Sequence, residues 1–238
     1  MKNINRRSML FRAMALGAVS TLPACDYEDP AHPDIADKFL HAMSAWNDRV
    51  QEALFNPHTL APTFRAEQIT NPPRFNAFYD ISQVPVVDPA TYQLELGGQI
   101  QDKSPWSLAA LNALAQTSQI TRLTCVEGWR VIGEWEGVPL GDFLRRIGAD
   151  TTCRYVSFKC ADGYYSSIDM PSALHPQTIL ALKFLGAPLT PPFGAPVRLR
   201  IPTKLGFKNP KSIVQLAVTN IYPGGYWEDQ GYNWFSGS

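Results

Sequence analysis

The run Arg122-Leu-Thr-Cys-Val-Glu-Gly-Trp-Arg130 reads as a buried strand that delivers one cysteine, Cys125, into a tight turn at Gly128. Taken on chemistry alone, Cys125 has three readings. Cysteine is among the most buried residue types, so a small core residue is the plainest. A thiol nucleophile needs a base close in space, and none of His32, His41, His58 and His175 is paired with it locally. A soft metal ligand is the third reading. No CxxC or HxxxH spacing supplies a full zinc set, so a metal on Cys125 would take most of its other ligands from a cofactor.

Working outward, Ile120 to Thr124 is the predicted strand before the cysteine, and Leu140 to Ile147 a helix stopped by Gly148. Tyr92 to Leu96 alternates as a strand ending at Gly97-Gly98, and Ser107 begins a helix through about Gln116. Arg154 to Cys160 and Tyr164 to Ile168 flank the hairpin signal Ala161-Asp-Gly163. Cys153 and Cys160 on one extended strand lie roughly 23 Å apart at about 3.3 Å per residue, which excludes a disulfide. Pro176 to Leu185 reads as a helix ended by Gly186. Ala195 to Ile201 is a strand with Arg198 and Arg200 on one face, because side chains alternate. With Lys204, Lys208 and Lys211 these arginines form either a solvated basic face or a cluster suited to a phosphate.

The stretches Cys125-Val-Glu-Gly-Trp129 and Trp135-Glu-Gly-Val-Pro-Leu140 resemble the molybdenum-ligating segment of the sulfite oxidase family of molybdopterin enzymes. Gly194 to Pro202, Lys204 to Lys208 and Lys211-Ser-Ile213 resemble that family's pterin phosphate-binding segment. Arg74-Phe-Asn-Ala-Phe-Tyr-Asp80 is similar to a signature of the periplasmic branch that includes the methionine sulfoxide reductase catalytic subunit. The resemblance implies an α+β fold, the mixed-sheet catalytic domain of that family without its C-terminal immunoglobulin-like domain. It implies a molybdenum-molybdopterin cofactor with Cys125 as metal ligand, and oxygen-atom transfer on a small substrate, compounds of sulfur being one candidate class. Asn76, Tyr79, Asp80, Cys160, Arg198, Asn209 and Lys211 become the expected cofactor contacts, with Arg198 and Lys211 on the phosphate. Glu127 is expected either to relay protons beside Cys125 or to pair with Arg130. With no CxxCH haem motif in the chain, electrons would pass through a separate redox partner, a membrane cytochrome b or a periplasmic c-type cytochrome. The rival readings are a periplasmic binding or assembly lipoprotein that keeps the fold without the cofactor, and a cysteine-nucleophile hydrolase.

The 238 residues, 45% apolar and 18% charged, suit one globular domain with an N-terminal extension. Residues 1–24 hold Lys2, Arg6, Arg7 and Arg12, no acidic residue, and a small apolar stretch from Ala13. They resemble a twin-arginine export signal, and so point to the periplasm and the twin-arginine translocase. Leu22-Pro-Ala-Cys25 also resembles a lipobox, which would anchor the chain by a lipid on Cys25. The rest carries 17 basic and 21 acidic residues, so nucleic-acid binding is not expected. Within residues 25–70, Ile35, Phe39, Met43, Trp46, Val50 and Leu54 mark an amphipathic helix capped by Asp34 and barred by Pro57, its stripe expected to be packing surface. An extended wrap leads from there into a catalytic domain expected over residues 71–238.

Overall fold

The computed structural model describes residues 35–77 and 79–237; the leader, Cys25 and the Asp34 cap lie outside them. The chain divides into a short unit, residues 1–42, and a main unit, residues 43–238. One long helix, α1 (Ile35–Leu54), opens the described chain. Ten strands follow, β1 (Gln93–Gly98), β2 (Trp106–Ser107), β3 (Thr117–Thr124), β4 (Arg130–Pro139), β5 (Tyr155–Cys160), β6 (Tyr165–Asp169), β7 (Ile179–Phe184), β8 (Ala187–Pro188), β9 (Arg198–Arg200) and β10 (Ile213–Thr219). Three short helices lie between them: α2 (Leu108–Asn112), α3 (Leu140–Arg146) and α4 (Met170–Ala173).

Two five-stranded sheets result. The first runs β2-β1-β10-β5-β6 and is mixed, since β1 pairs with β10 in parallel and the others are antiparallel. The second runs β3-β4-β7-β8, with β9 also on β7. This is the expected α+β architecture. Leu94, Leu140, Phe143, Val156, Leu180 and Leu216 belong to one buried cluster drawn from both sheets and α3. The wrap before the first sheet runs along β3 and β4: Thr63 bridges Thr121, Phe64 N–H donates to the Ile120 carbonyl, and Thr70 N–H to that of Ile132.

Residues 176–185 correct the helical expectation. Within them lies β7, Ile179–Phe184, buried at every position but Lys183 and bordered by β4 on one edge and β8 and β9 on the other. A short apolar run has the same pattern whether it is a two-sided strand or a buried helix, and here burial on both faces selects the strand. Gly186 does end it, but as half of a two-residue turn in which Leu185 and Gly186 both have positive φ, 52° and 75°, as a tight hairpin needs. The helix at Ser107 ends at Asn112 and not near Gln116, because Thr117 already pairs with Gly137 in the second sheet.

α1 is a second correction. Its polar side does the packing: Ser44 accepts from Asn233, both Asp48 carboxylate oxygens accept backbone N–H groups of Trp234 and Phe235, and Gln51 accepts from Gly237. The apolar stripe is left outside, with Met43, Trp46 and Leu54 exposed. Four fixed N–H donors in the tail outbid the apolar face, since a buried backbone donor without a partner is costly.

Arg200 joins these parts. It is wholly buried, and its guanidinium donates to the Arg122 carbonyl at 2.7 Å, Thr121 Oγ1 at 3.0 Å and Asn209 Oδ1 at 3.1 Å. It thus ties β9 to the end of β3 and to the loop before β10. Burial lowers its pKa to about 9, with Arg198 beside it adding to the effect. Replacing Arg200 with leucine strands these acceptors, each worth about 1–3 kcal/mol when buried and unpaired. Denaturant unfolding of Arg200→Leu is expected to show a loss of roughly 3 kcal/mol or more.

Candidate functional site

β3 and β4 are joined by Cys125-Val-Glu-Gly-Trp129. The Gly128 N–H donates to the Cys125 carbonyl and the Cys125 N–H to that of Trp129, while Gly128 takes a φ of 88°. That is a type I turn closed by a left-handed glycine, the geometry of a three-residue hairpin loop. It projects the Cys125 side chain from the strand end. The loop before β10 packs against it at Gly206, where a Cβ would come within 3.2 Å of the Leu123 side chain and 3.4 Å of the Thr124 carbonyl.

Cys125 lines a cleft of ≈ 850 Å³, counted to its open mouth, with Asn76 and Tyr79 on one side, Arg198, Asn209 and Lys211 on another, and Phe207, Trp227 and Tyr232 as an aromatic wall. Segments far apart in sequence are pinned together around it. Lys211 Nζ donates to the carbonyls of Asn76, at 2.5 Å, and Pro192, at 2.9 Å, and the Tyr79 hydroxyl donates to Asp162 at 2.9 Å.

Charge distributes unevenly within the basic cluster. Lys204 pairs with Asp169 at 3.1 Å and Lys208 with Glu228, both pairs buried, and Arg200 serves the strands. Arg198 and Lys211 remain. Arg198 donates to the carbonyls of Phe193 and Asn209 and stacks over Trp135. Among the described residues neither it nor Lys211 has a carboxylate at salt-bridge distance. Burial lowers the pKa of Arg198 to about 10, and burial followed by the Arg198 charge lowers that of Lys211 to about 7. Two cations held by neutral carbonyls suit an anion. Arg198 is buried and Lys211 half-buried, so neither belongs to a fully solvated basic face.

Around Cys125, burial pushes the thiol pKa up, and the Glu127 carboxylate adds to this. A nucleophilic cysteine wants the opposite shift. Glu127 accepts from Trp129 Nε1 at 2.7 Å and its Oε2 lies 3.9 Å from Cys125 Sγ. It is therefore beside the sulfur through the turn and not along a continuing strand, and it is held by Trp129 and not by Arg130. Among the described residues no group of three or more His, Cys, Asp or Glu surrounds a common point. A metal at Cys125 thus takes its remaining ligands from outside the polypeptide.

Of the nine expected site residues, Asn76, Tyr79, Cys125, Glu127, Arg198, Asn209 and Lys211 line this cleft. Asn209 has little of its amide to spare: Oδ1 accepts from Arg200 and the Ile201 N–H, and Nδ2 donates to Leu205. Asp80 is outside it, an exposed carboxylate that caps the turn at Ser82. Cys160 is buried beneath it at the end of β5, its thiol pKa raised by burial and then by Asp162. Asp162 and Tyr164 also line the cleft and are not among the expected site residues. Nothing local marks them, since Asp162 meets Tyr79 across 83 positions. In the C-terminal tail Trp227 and Tyr232 line the cleft, while Phe235 is buried.

Residues 81–227 match the family described as the oxidoreductase molybdopterin binding domain. The chain belongs to the sulfite oxidase family of molybdopterin-binding oxidoreductases. It is 53% identical over 98% of its length to the putative protein-methionine-sulfoxide reductase subunit YedZ1 of Azospira oryzae, covering 88% of that protein. It is 34% identical over 72% of its length to the protein-methionine-sulfoxide reductase catalytic subunit MsrP of Xanthomonas axonopodis pv. citri. The chain spans 61% of that relative's length. In fold it matches the sulfane dehydrogenase SoxCD from Paracoccus pantotrophus, with a TM-score of 0.57 and 17% identity over 86% of this chain and 59% of that one.

Sulfate, whose charge is constant over this range, probes the two free cations in the cofactor-free chain. Lys211 is half neutral near pH 7 in the empty cleft and takes up a proton when a dianion binds. Sulfate affinity measured by calorimetry is therefore expected to fall by up to about tenfold per unit as pH rises from 7 to 9, and to become weak and nearly flat with pH in Lys211→Met.

Proposed function

We propose that the chain is a periplasmic oxidoreductase that transfers an oxygen atom to or from a small, sulfur-containing substrate at a molybdenum-molybdopterin site in this cleft. One observation supports the reading: the Cys125 thiol, at the start of the β3–β4 turn, lines the same cleft as Arg198 and Lys211, two cations with no carboxylate at salt-bridge distance among the described residues. The bound cofactor would supply the two-electron redox chemistry.

Arg198 and Lys211 would hold the pterin phosphate, with Asn76 and Tyr79 closing over it. Cys125 would provide the one protein ligand to the metal. Its thiol gives up a proton on ligation, and Glu127 Oε2, fixed by the Trp129 indole, is the acceptor within reach. Asp80 and Cys160 would act through the turn and strand they occupy. Phe207, Trp227 and Tyr232 would pack the substrate and keep bulk water from the reacting atoms.

Residues 1–24 would export the chain by the twin-arginine translocase, with Cys25 available for lipid attachment. Residues 25–70 would serve as a helical and extended lead-in to the catalytic domain over 71–238. A membrane cytochrome b or periplasmic c-type cytochrome would exchange electrons with the site.

Chain purified from a host competent for the cofactor is expected to hold about one molybdenum and one pterin. In Cys125→Ser, redox turnover should disappear while pterin is partly retained through Arg198 and Lys211. Turnover unchanged in Cys125→Ser would refute the ligand assignment, and folded protein without metal or pterin would refute the enzyme reading.

A further inference from the structure

α1 presents its apolar stripe to solvent and spends its polar side on the tail. Met43, Trp46, Val50 and Leu54 follow one another at steps of three and four, so they share a face. Trp46 is 59% and Leu54 79% exposed. Leu60, soon after the helix, is also exposed, and the same period runs back in the sequence to Phe39. Residues 44, 48 and 51 are roughly half a turn away at about 100° per residue, on the side bonded to residues 233–237.

Charge sorts in the same way. Asp48 and Glu52 fall almost opposite the stripe, about 160° from its centre at about 100° per residue, whereas Arg49 lies nearer to it, about 100° from that centre. An exposed face of Trp, Met and Leu, free of acidic residues and with a basic one nearer to it, is the composition of a helix lying in a lipid headgroup layer. Among the described residues no helix is long and apolar enough to cross a membrane.

The chain ahead of α1 says which surface is near. Cys25, at the end of the basic and apolar leader, is ten residues before Ile35. Ten residues reach at most about 35 Å, so a chain kept at a membrane by its leader or by a lipid on Cys25 keeps α1 within reach of the bilayer. We infer that the Met43–Trp46–Leu54 face of α1 is a docking surface for an anionic lipid bilayer. Because Ser44, Asp48 and Gln51 bond residues 233–237 from the other side of the helix, docking would leave that tail on the side of α1 turned from the lipid. The inference rests on no assignment at Cys125.

The test uses the full chain with vesicles of phosphatidylethanolamine and phosphatidylglycerol carrying brominated acyl chains. The emission of Trp46 is obtained as the difference between the unaltered chain and Trp46→Phe. It is expected to drop at least twofold on brominated relative to plain vesicles, and to lose that quenching in Met43→Glu/Leu54→Glu. Unquenched Trp46 emission overturns the inference, whether the chain fails to bind or is held by its leader alone. So does sedimentation that shows a dimer with Trp46 shielded in the absence of lipid, which would make the face a contact between copies.

Discussion

The buried guanidinium of Arg200 is the constraint from which the site geometry follows. A wholly buried cation must find acceptors, and those it finds are near the end of β3, three and four residues before Cys125, and on Asn209 in the loop that carries Lys211. The thiol and the basic wall are thus positioned by one side chain that does not itself line the cleft. Gly206 permits the same loop to close on the hairpin, so position there is set by hydrogen bonding and by the absence of a Cβ together.

Five basic residues within fourteen positions look equivalent in sequence, and the fold makes them unequal. Two are neutralised by buried carboxylates, one is structural, and two are left facing the cleft. Positive charge is therefore concentrated on two side chains in the lining of one cleft, where low polarizability strengthens its pull on an anion. Phe207, Trp227 and Tyr232 line the same cleft, which gives it apolar as well as electropositive lining.

Much of this was legible beforehand. The strand before Cys125, the turn at Gly128, the 161–163 hairpin, the helix over 140–147 and the shared face of Arg198 and Arg200 all rest on local pattern, and local pattern sufficed. Residues 176–185 misled because an unbroken apolar run has no period that separates strand from helix, and only the neighbours β4, β8 and β9 decide. The stripe of α1 was visible, but not its orientation, which depends on tail N–H groups about 186 positions away. Asp162 gave no local signal, because its contact with Tyr79 joins residues 83 positions apart in the chain. Asp80 and Cys160 were drawn in by resemblance and lie just beyond the cleft.

The ammonium of Lys211 has three protons, and two are directed at the carbonyls of Asn76 and Pro192. The strap carrying Asn76 and whatever anion enters the cleft therefore draw on the same charged group. By the reciprocity of linked equilibria, each stabilises the other by the same free energy: an ordered strap tightens the anion, and a bound anion, by keeping Lys211 protonated, orders the strap. Residence of the ligand and the hold on the chain at Asn76 are one equilibrium seen from two sides.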